Sequence, residues 1–290
     1  MKKFRVILGV DQTGAAISKG QKAKPLPLTV AVSEAHNHWY FRTCLKQKPL
    51  FLSEFKPQAV AEILDALEIR IDLADLAIVA DCVLGLPQSV WGTRRGGSSS
   101  LWNLFSEAAS FQRSGKEFGR EVAEAFFQQL LKPRNRNVPK RKCEMLSGSN
   151  SLFQIRPYQK NIQTGTFRFW KELGQASEQW VHIWPFDGAP RGDQLKPWLF
   201  EGYPSLFWRE ELNLTHRNPE LLRRAVKSKE WKFEMDTWNI VESSPDHADA
   251  FVLTYGAVSL QHRVRLCPSL NSWIPRTALQ REGWILGLKS

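Results

Sequence analysis

The sequence predicts an α/β fold built on a mixed sheet, with an antiparallel three-strand meander on one side, parallel strands on the other and helices flanking it. Three observations carry that prediction. Val6–Val10 and Leu76–Ala80 are continuously apolar runs, as expected of strands buried on both faces. Two further strand signals, Leu28–Ser33 and His38–Thr43, follow the first run through short polar connections that suit antiparallel pairing. A helix with Pro57 as its first residue then leads to Leu76, and a helical crossover makes the two apolar strands parallel.

Taken in order, the first strand ends in an acid. A buried, unpaired carboxylate is strongly unfavourable, so Asp11 is expected to meet solvent, a cation or a hydrogen-bond network, or else to open a turn through Thr13 and Gly14. Lys19–Pro27 reads as a basic, proline-containing turn. In the helix from Pro57, the residues Val60, Ile63, Leu64, Leu67 and Ile71 share one face. The Leu76–Ala80 strand again ends in an acid, Asp81.

Past Gly85 the pattern changes, and residues 88–178 read as a largely helical insertion within a single domain spanning 1–290. Thr93–Ser100 reads as a linker or mobile loop whose Arg94 and Arg95 are candidate phosphate contacts. Phe118, Val122, Phe126 and Leu130 mark a helix that ends before Pro133. Lys132–Lys142, with six basic residues among eleven, is either a solvated loop or a nucleic-acid contact through Lys140, Arg141 and Lys142; the overall charge favours the contact. Residues 144–175 read as a loop followed by a helix near Gly165–Leu173. There Arg156, Lys160, Gln163 and Arg168 either form a phosphate-facing set or bond the backbone of an irregular segment.

In the last third, Val181–Trp184 and Leu199–Tyr203 are short strands, the second carrying Glu201. Asn218 and Pro219 start a helix with Leu221, Leu222, Ala225 and Val226 inward and Arg217, Arg223, Arg224, Lys227 and Lys229 towards solvent. A final helix opens with Ser244 as N-cap and Pro245 as first residue. Asp246 and Asp249 share a face of its first turn, and Ala250, Leu253, Ala257 and Leu260 can pack on the sheet. The helix dipole accounts for Asp246; it accounts less well for Asp249, which lies deeper in.

The 290 residues carry a formal net charge of +11, and the pI is about 9.6, a balance that favours a polyanionic partner such as DNA or RNA. Cys44, Cys82, Cys143 and Cys267 lack the spacing of a zinc site and read as reduced thiols. Arg5 and Asp11 interrupt the N-terminal apolar run too early for a signal peptide, and no run reaches transmembrane length. The expectation is a cytoplasmic protein with no membrane partner.

Acids at the ends of separate apolar elements suit magnesium or manganese, which prefer oxygen ligands. Two such ions about 3.5–4 Å apart activate water and offset phosphoryl charge in phosphodiester hydrolysis. The expected ligands are Asp11 as the bridging group, with Asp249 and Glu201 or Asp81; Asp246 and His247 are second choices, as ligands or as groups that orient water.

The same stretches carry a resemblance. GVD at Gly9–Asp11, GLP at Gly85–Pro87, the run Arg156–Leu173, WPF at Trp184–Phe186, EGYPS at Glu201–Ser205 and DHADA at Asp246–Ala250 resemble, in that order, the ribonuclease H-like superfamily, and within it the DUF429 group of predicted nucleases. The resemblance implies a ribonuclease H-like mixed sheet, with metal ligands on the first strand and last helix at the places of Asp11 and Asp249. The DHAD spacing is also similar to the end of Holliday-junction resolvases of this superfamily. Gln12 and Thr13 stand where the group often has glycine and cysteine, and Val83 where it usually has proline. Two other readings stay open: a non-catalytic nucleic-acid-binding or scaffolding protein, and an actin-like ATPase. The second would need a further glycine-rich phosphate loop that the sequence lacks.

Overall fold

The computed structural model describes residues 3–12, 23–35, 38–91, 98–131, 138–153, 162–176, 178–188, 190, 194–215, 217–226, 231–263, 279 and 281–288. Its strands are β1 (Val6–Val10), β2 (Leu26–Ala35), β3 (His38–Arg42), β4 (Cys44–Leu45), β5 (Lys48–Pro49), β6 (Phe51–Leu52), β7 (Leu76–Ala80), β8 (His182–Ile183), β9 (Trp198–Glu201) and β10 (Trp231–Phe233). The helices are α1 (Pro57–Ala66), α2 (Gln88–Trp91), α3 (Ser98–Ser110), α4 (Arg120–Leu130), α5 (Lys142–Ser147), α6 (Ile162–Gln175), α7 (Pro204–Glu210), α8 (Pro219–Ala225), α9 (Thr237–Ser243) and α10 (Pro245–Arg263).

The main sheet runs β10-β3-β2-β1-β7-β9-β8, with β6 added to β2. β1, β2 and β3 form the antiparallel meander, while β1, β7, β9 and β8 are parallel. The architecture is thus α/β with a mixed sheet flanked by helices. β1 and β7 are buried at every position, which is what a central parallel pair covered on both faces requires.

Strand alternation divides the core into two. Val6, Leu8 and Val10 face a cluster with α1, α3, α4 and α6, so the helices between β7 and β8 pack on the same sheet face as the crossover helix α1. Ile7, Ala77, Val79, Trp198 and Phe200 face the other way, onto α7, α9 and α10. α10 comes very close to β1: a Cβ on Gly9 would lie 2.2 Å from Thr254 Oγ1 and 2.4 Å from the Ala250 carbonyl oxygen. Any larger residue at position 9 would lift the helix off the strand.

Several elements differ from the sequence expectation. Ser98–Ser100 form the first turn of α3 instead of ending a loop, because Leu101, Leu104, Phe105 and Ala108 are fully buried in the core where α3 packs on α6. α1 stops at Ala66, short of Ile71. α5 precedes the expected helix around Gly165, and α6 is longer than expected. In α8 Leu222 is buried, but Leu221 is 40 % exposed rather than inward. α7, α9 and β10 were not foreseen. No helix among the described residues is long and apolar enough to cross a membrane.

Candidate functional site

The parallel ladder brings the strand-end acids to one edge. Asp81 N donates to Val10 O (3.0 Å) and Gly202 N to Ala80 O (2.8 Å), so the pairing of β1, β7 and β9 runs on past their last residues. Open α/β sheets place their ligands at this carboxyl edge. Val10 is in register with Ala80, and Asp11 therefore stands beside Asp81. Both follow the alternation of Ile7 and Val79, and so belong to the face covered by α10.

Asp11 is wholly buried, and neither of its carboxylate oxygens has a hydrogen-bond donor among the described residues. Burial raises its pKa well above the ordinary carboxylate value; the charges of Asp81, Asp249 and Asp246 push in the same direction, and Arg217 opposes them. Asp81 keeps a partial opening to solvent although protein surrounds most of it. Its pKa is pushed up to about 7, first by desolvation and then by Asp249, while Arg217 and a hydrogen bond with Asp11 hold it down. The two carboxyls lie close enough to share a proton, and with both ionised Asp11 accepts from none of the described residues.

Asp249 arrives from the second turn of α10. Trp208 on α7 donates its indole N–H to Oδ1 (2.7 Å), and Arg217 Nη1 meets Oδ2 at 2.6 Å. Burial raises the Asp249 pKa, and Arg217 and Trp208 offset part of that rise. Arg217 Nη2 also donates to Ser205 Oγ (2.9 Å), so one guanidinium bridges the N-terminal parts of α7 and α10. Sequence reasoning had left Arg217 in solvent and Trp208 unremarked. No periodicity marks either, since both act across elements separated by dozens of residues.

Glu201 is a correction to the expected ligand set. β9 is in register with β7 so that Glu201 pairs with Ala80, not with Asp81, and its side chain belongs with Leu199 to the opposite face. There Arg141 Nη2 meets Oε1 at 2.5 Å, while Arg141 Nη1 (2.7 Å) and Leu84 N (2.9 Å) donate to Oε2. His247 is likewise turned away. Its Nε2–H donates to Leu50 O (3.4 Å) and its ring packs edge-on against Phe51, and burial lowers its pKa. Asp246 is felt by Asp11 as a charge.

Two of the expected phosphate-binding residues are also corrected. Arg141 is 1 % exposed and clamped between Glu144 and Glu201. Arg168 is 4 % exposed; it pairs with Glu172 and donates to Lys24 O and Ser53 O, which is the backbone-bonding alternative for that set. Gln163 does the same at Leu152 O (2.7 Å). Lys140 Nζ donates to Ser149 O (3.2 Å), and Lys142 is exposed at the start of α5. Arg94, Arg95, Arg156 and Lys160 lie outside the described residues, as does Cys267; Cys44, Cys82 and Cys143 are buried free thiols.

As a metal site the cluster is partly assembled. Asp11 and Asp81 offer hard oxygen donors, and Asp11 has the orphaned oxygens that a divalent ion would satisfy. Asp249 is engaged by Arg217 and Trp208, and no three His, Cys, Asp or Glu side chains among the described residues form a metal-holding group. Comparison of the chain with family models, curated proteins and solved structures finds no match.

Proposed function

We propose that this chain is a divalent-metal-dependent nuclease with a ribonuclease H-like fold, hydrolysing phosphodiester bonds of DNA or RNA. One observation carries the reading: Asp11, fully buried and with both oxygens lacking a donor among the described residues, stands beside Asp81 and in the field of Asp249 at the carboxyl edge of parallel strands. A chain rarely keeps such a group unless something from outside completes it. The strand order, with an antiparallel meander beside three parallel strands and the last long helix across β1, also fits that fold.

Asp11 and Asp81 would hold magnesium or manganese, with Asp249 joining them. When bound, the ions supply an activated water and positive charge opposite the phosphoryl oxygens. The chain's own part is to hold these carboxylates in place: the β1–β7 ladder sets Asp11 against Asp81, and Trp208 orients Asp249 through Oδ1. The net charge of +11 favours approach of a polyanion.

The test is cleavage of single-stranded DNA, duplex DNA, RNA and branched DNA with magnesium or manganese. Wild type is expected to cut at least one of them and Asp11→Asn none. A wild type inactive on all four, or an Asp11→Asn variant as active as wild type, would overturn the proposal. A second reading, a non-catalytic nucleic-acid-binding protein, draws on the Arg217–Asp249 pair, which neutralises one acid internally.

A further inference from the structure

Arg217 stands out because it couples two features the hydrolytic reading leaves separate. Its guanidinium is the cation nearest the acids in effect: it opposes the rise in pKa of Asp11, Asp81 and Asp249 alike. Yet its side chain is 49 % exposed, whereas the Asp249 carboxylate it binds is 6 % exposed. A buried carboxylate is thus capped by a group whose other side is in water. On the far side of Asp249, the Trp208 indole fixes Oδ1, so Oδ2 is the oxygen that can change partners without the side chain losing its orientation.

We propose that Arg217 is an exchangeable internal cation, which holds Asp249 Oδ2 while the acids carry no metal and is displaced from it when a divalent ion binds Asp11, Asp81 and Asp249. This rests on the metal-site reading given above. The physical basis is charge exclusion. A guanidinium bonded to Asp249 and a divalent ion bonded to the same carboxylate group repel one another at short range, and the half-exposed guanidinium is the one that can retreat into water at small cost. The pivot is fixed, since Asn218 next to Arg217 caps α8 by accepting from Glu220 N (2.9 Å) and Leu221 N (3.3 Å). Only the Arg217 side chain has to move. The same exchange accounts for Asp11 and Asp81 having no third ligand grouped with them among the described residues while Arg217 is in place.

The experiment is Mn2+ titration of the full chain without nucleic acid, read by calorimetry and by the electron paramagnetic resonance signal of free Mn2+. Wild type, Arg217→Gln and Arg217→Lys are compared, with melting temperatures in chelator alongside. Because Arg217 is half-exposed and precedes a helix cap, the glutamine variant should fold; circular dichroism verifies this, and the lysine variant keeps the charge if it does not. Removing the competitor should tighten Mn2+ binding by about two- to fivefold in Arg217→Gln, the size of one half-exposed ion pair. Arg217→Lys, which keeps the charge but loses the planar fork, should fall between. In chelator Arg217→Gln should melt below wild type, because Asp249 loses its partner. Equal or weaker Mn2+ binding in Arg217→Gln, with wild type binding the ion, would overturn the exchange and leave the metal site standing. Absence of Mn2+ binding in both would overturn the metal site as well.

Discussion

Two groups of acids lie on opposite faces of the same sheet edge. On the insertion side, Glu144 and Glu201 close around Arg141: its Nε donates to Glu144 Oε1 at 2.8 Å, its two Nη groups to Glu201, and its backbone N to Glu144 Oε2 at 2.8 Å. On the α10 side, Asp11 has no donor among the described residues, burial and Asp249 push the Asp81 pKa up to about 7, and Asp249 is held by a cation borrowed from a half-exposed side chain. Both groups are largely buried, so burial alone does not separate them. What separates them is completeness. A buried charge that the chain satisfies by itself serves the fold, and one it leaves unsatisfied is kept for something else.

The largest expected effect breaks the complete group. Arg141→Met fills much of the space but strips the partner from Glu201 and Glu144, and removing one member of a buried ion pair costs about 3–5 kcal/mol. Urea unfolding at neutral pH should show that loss without any dependence on Mn2+. The opposite sign is expected on the other face. Asp11→Asn removes a charge that burial and three neighbouring acids disfavour, and should stabilise the metal-free protein by about 1–3 kcal/mol. Mn2+ should then raise the melting temperature of wild type and not of this variant, since the ion binds only the folded site. If Asp11→Asn melts lower in chelator, the carboxylate has an internal partner and the contrast between the two groups fails.

How much of this was legible beforehand depends on whether the signal was local. β1 and β7 announce themselves by unbroken apolar runs, and the acids that end them fall at the carboxyl edge as expected. The start of α10 is written in Ser244 and Pro245: the helix begins at Pro245, and His247 N reaches Ser244 Oγ at 3.4 Å. The facing of Glu201 was not legible, because it depends on a register between β7 and β9 that no single segment encodes, and one residue of offset moves a side chain to the other face. Nor was the fate of the basic run. Its charge is plain in the sequence, but that Arg141 turns inward depends on Glu201, 60 residues on. α3 was hidden because its first turn is three serines, whose weak helix preference is overridden by the packing of Leu101, Leu104 and Phe105.

A smaller effect sharpens the same contrast through pH. Burial and the charge of Asp249 push the Asp81 pKa up to about 7 in the folded chain from the ordinary 3.8. Between those limits the folded state keeps a proton that the unfolded state has released, so stability falls as pH rises through the window and levels off above it. Asp11, also raised, acts in the same direction. Asp81→Asn should flatten the fall, by on the order of 1–3 kcal/mol between pH 4.5 and 8. Unfolding midpoints measured across that range in chelator check it, and a wild type that gains stability on going from pH 5 to 7.5 would contradict the placement of these acids.

The smallest effect concerns the basic stretch that lost its central arginine to the core. With Arg141 buried, only Lys140 and Lys142 of the three remain to meet a phosphate, and the Lys140 ammonium is already bonded to the Ser149 carbonyl. Each phosphate contact on duplex DNA contributes roughly 0.9 to the slope of log affinity against log salt. Lys142→Gln should therefore lower that slope by at most about one contact's worth, and Lys140→Gln by less, since its charge is partly fixed in place. The measurement is duplex binding from low to moderate salt for each variant. A drop of two contacts or more in Lys140→Gln would mean that the ammonium leaves Ser149 for the nucleic acid. In that case the insertion side of the sheet edge, and not only the α10 side, takes part in binding.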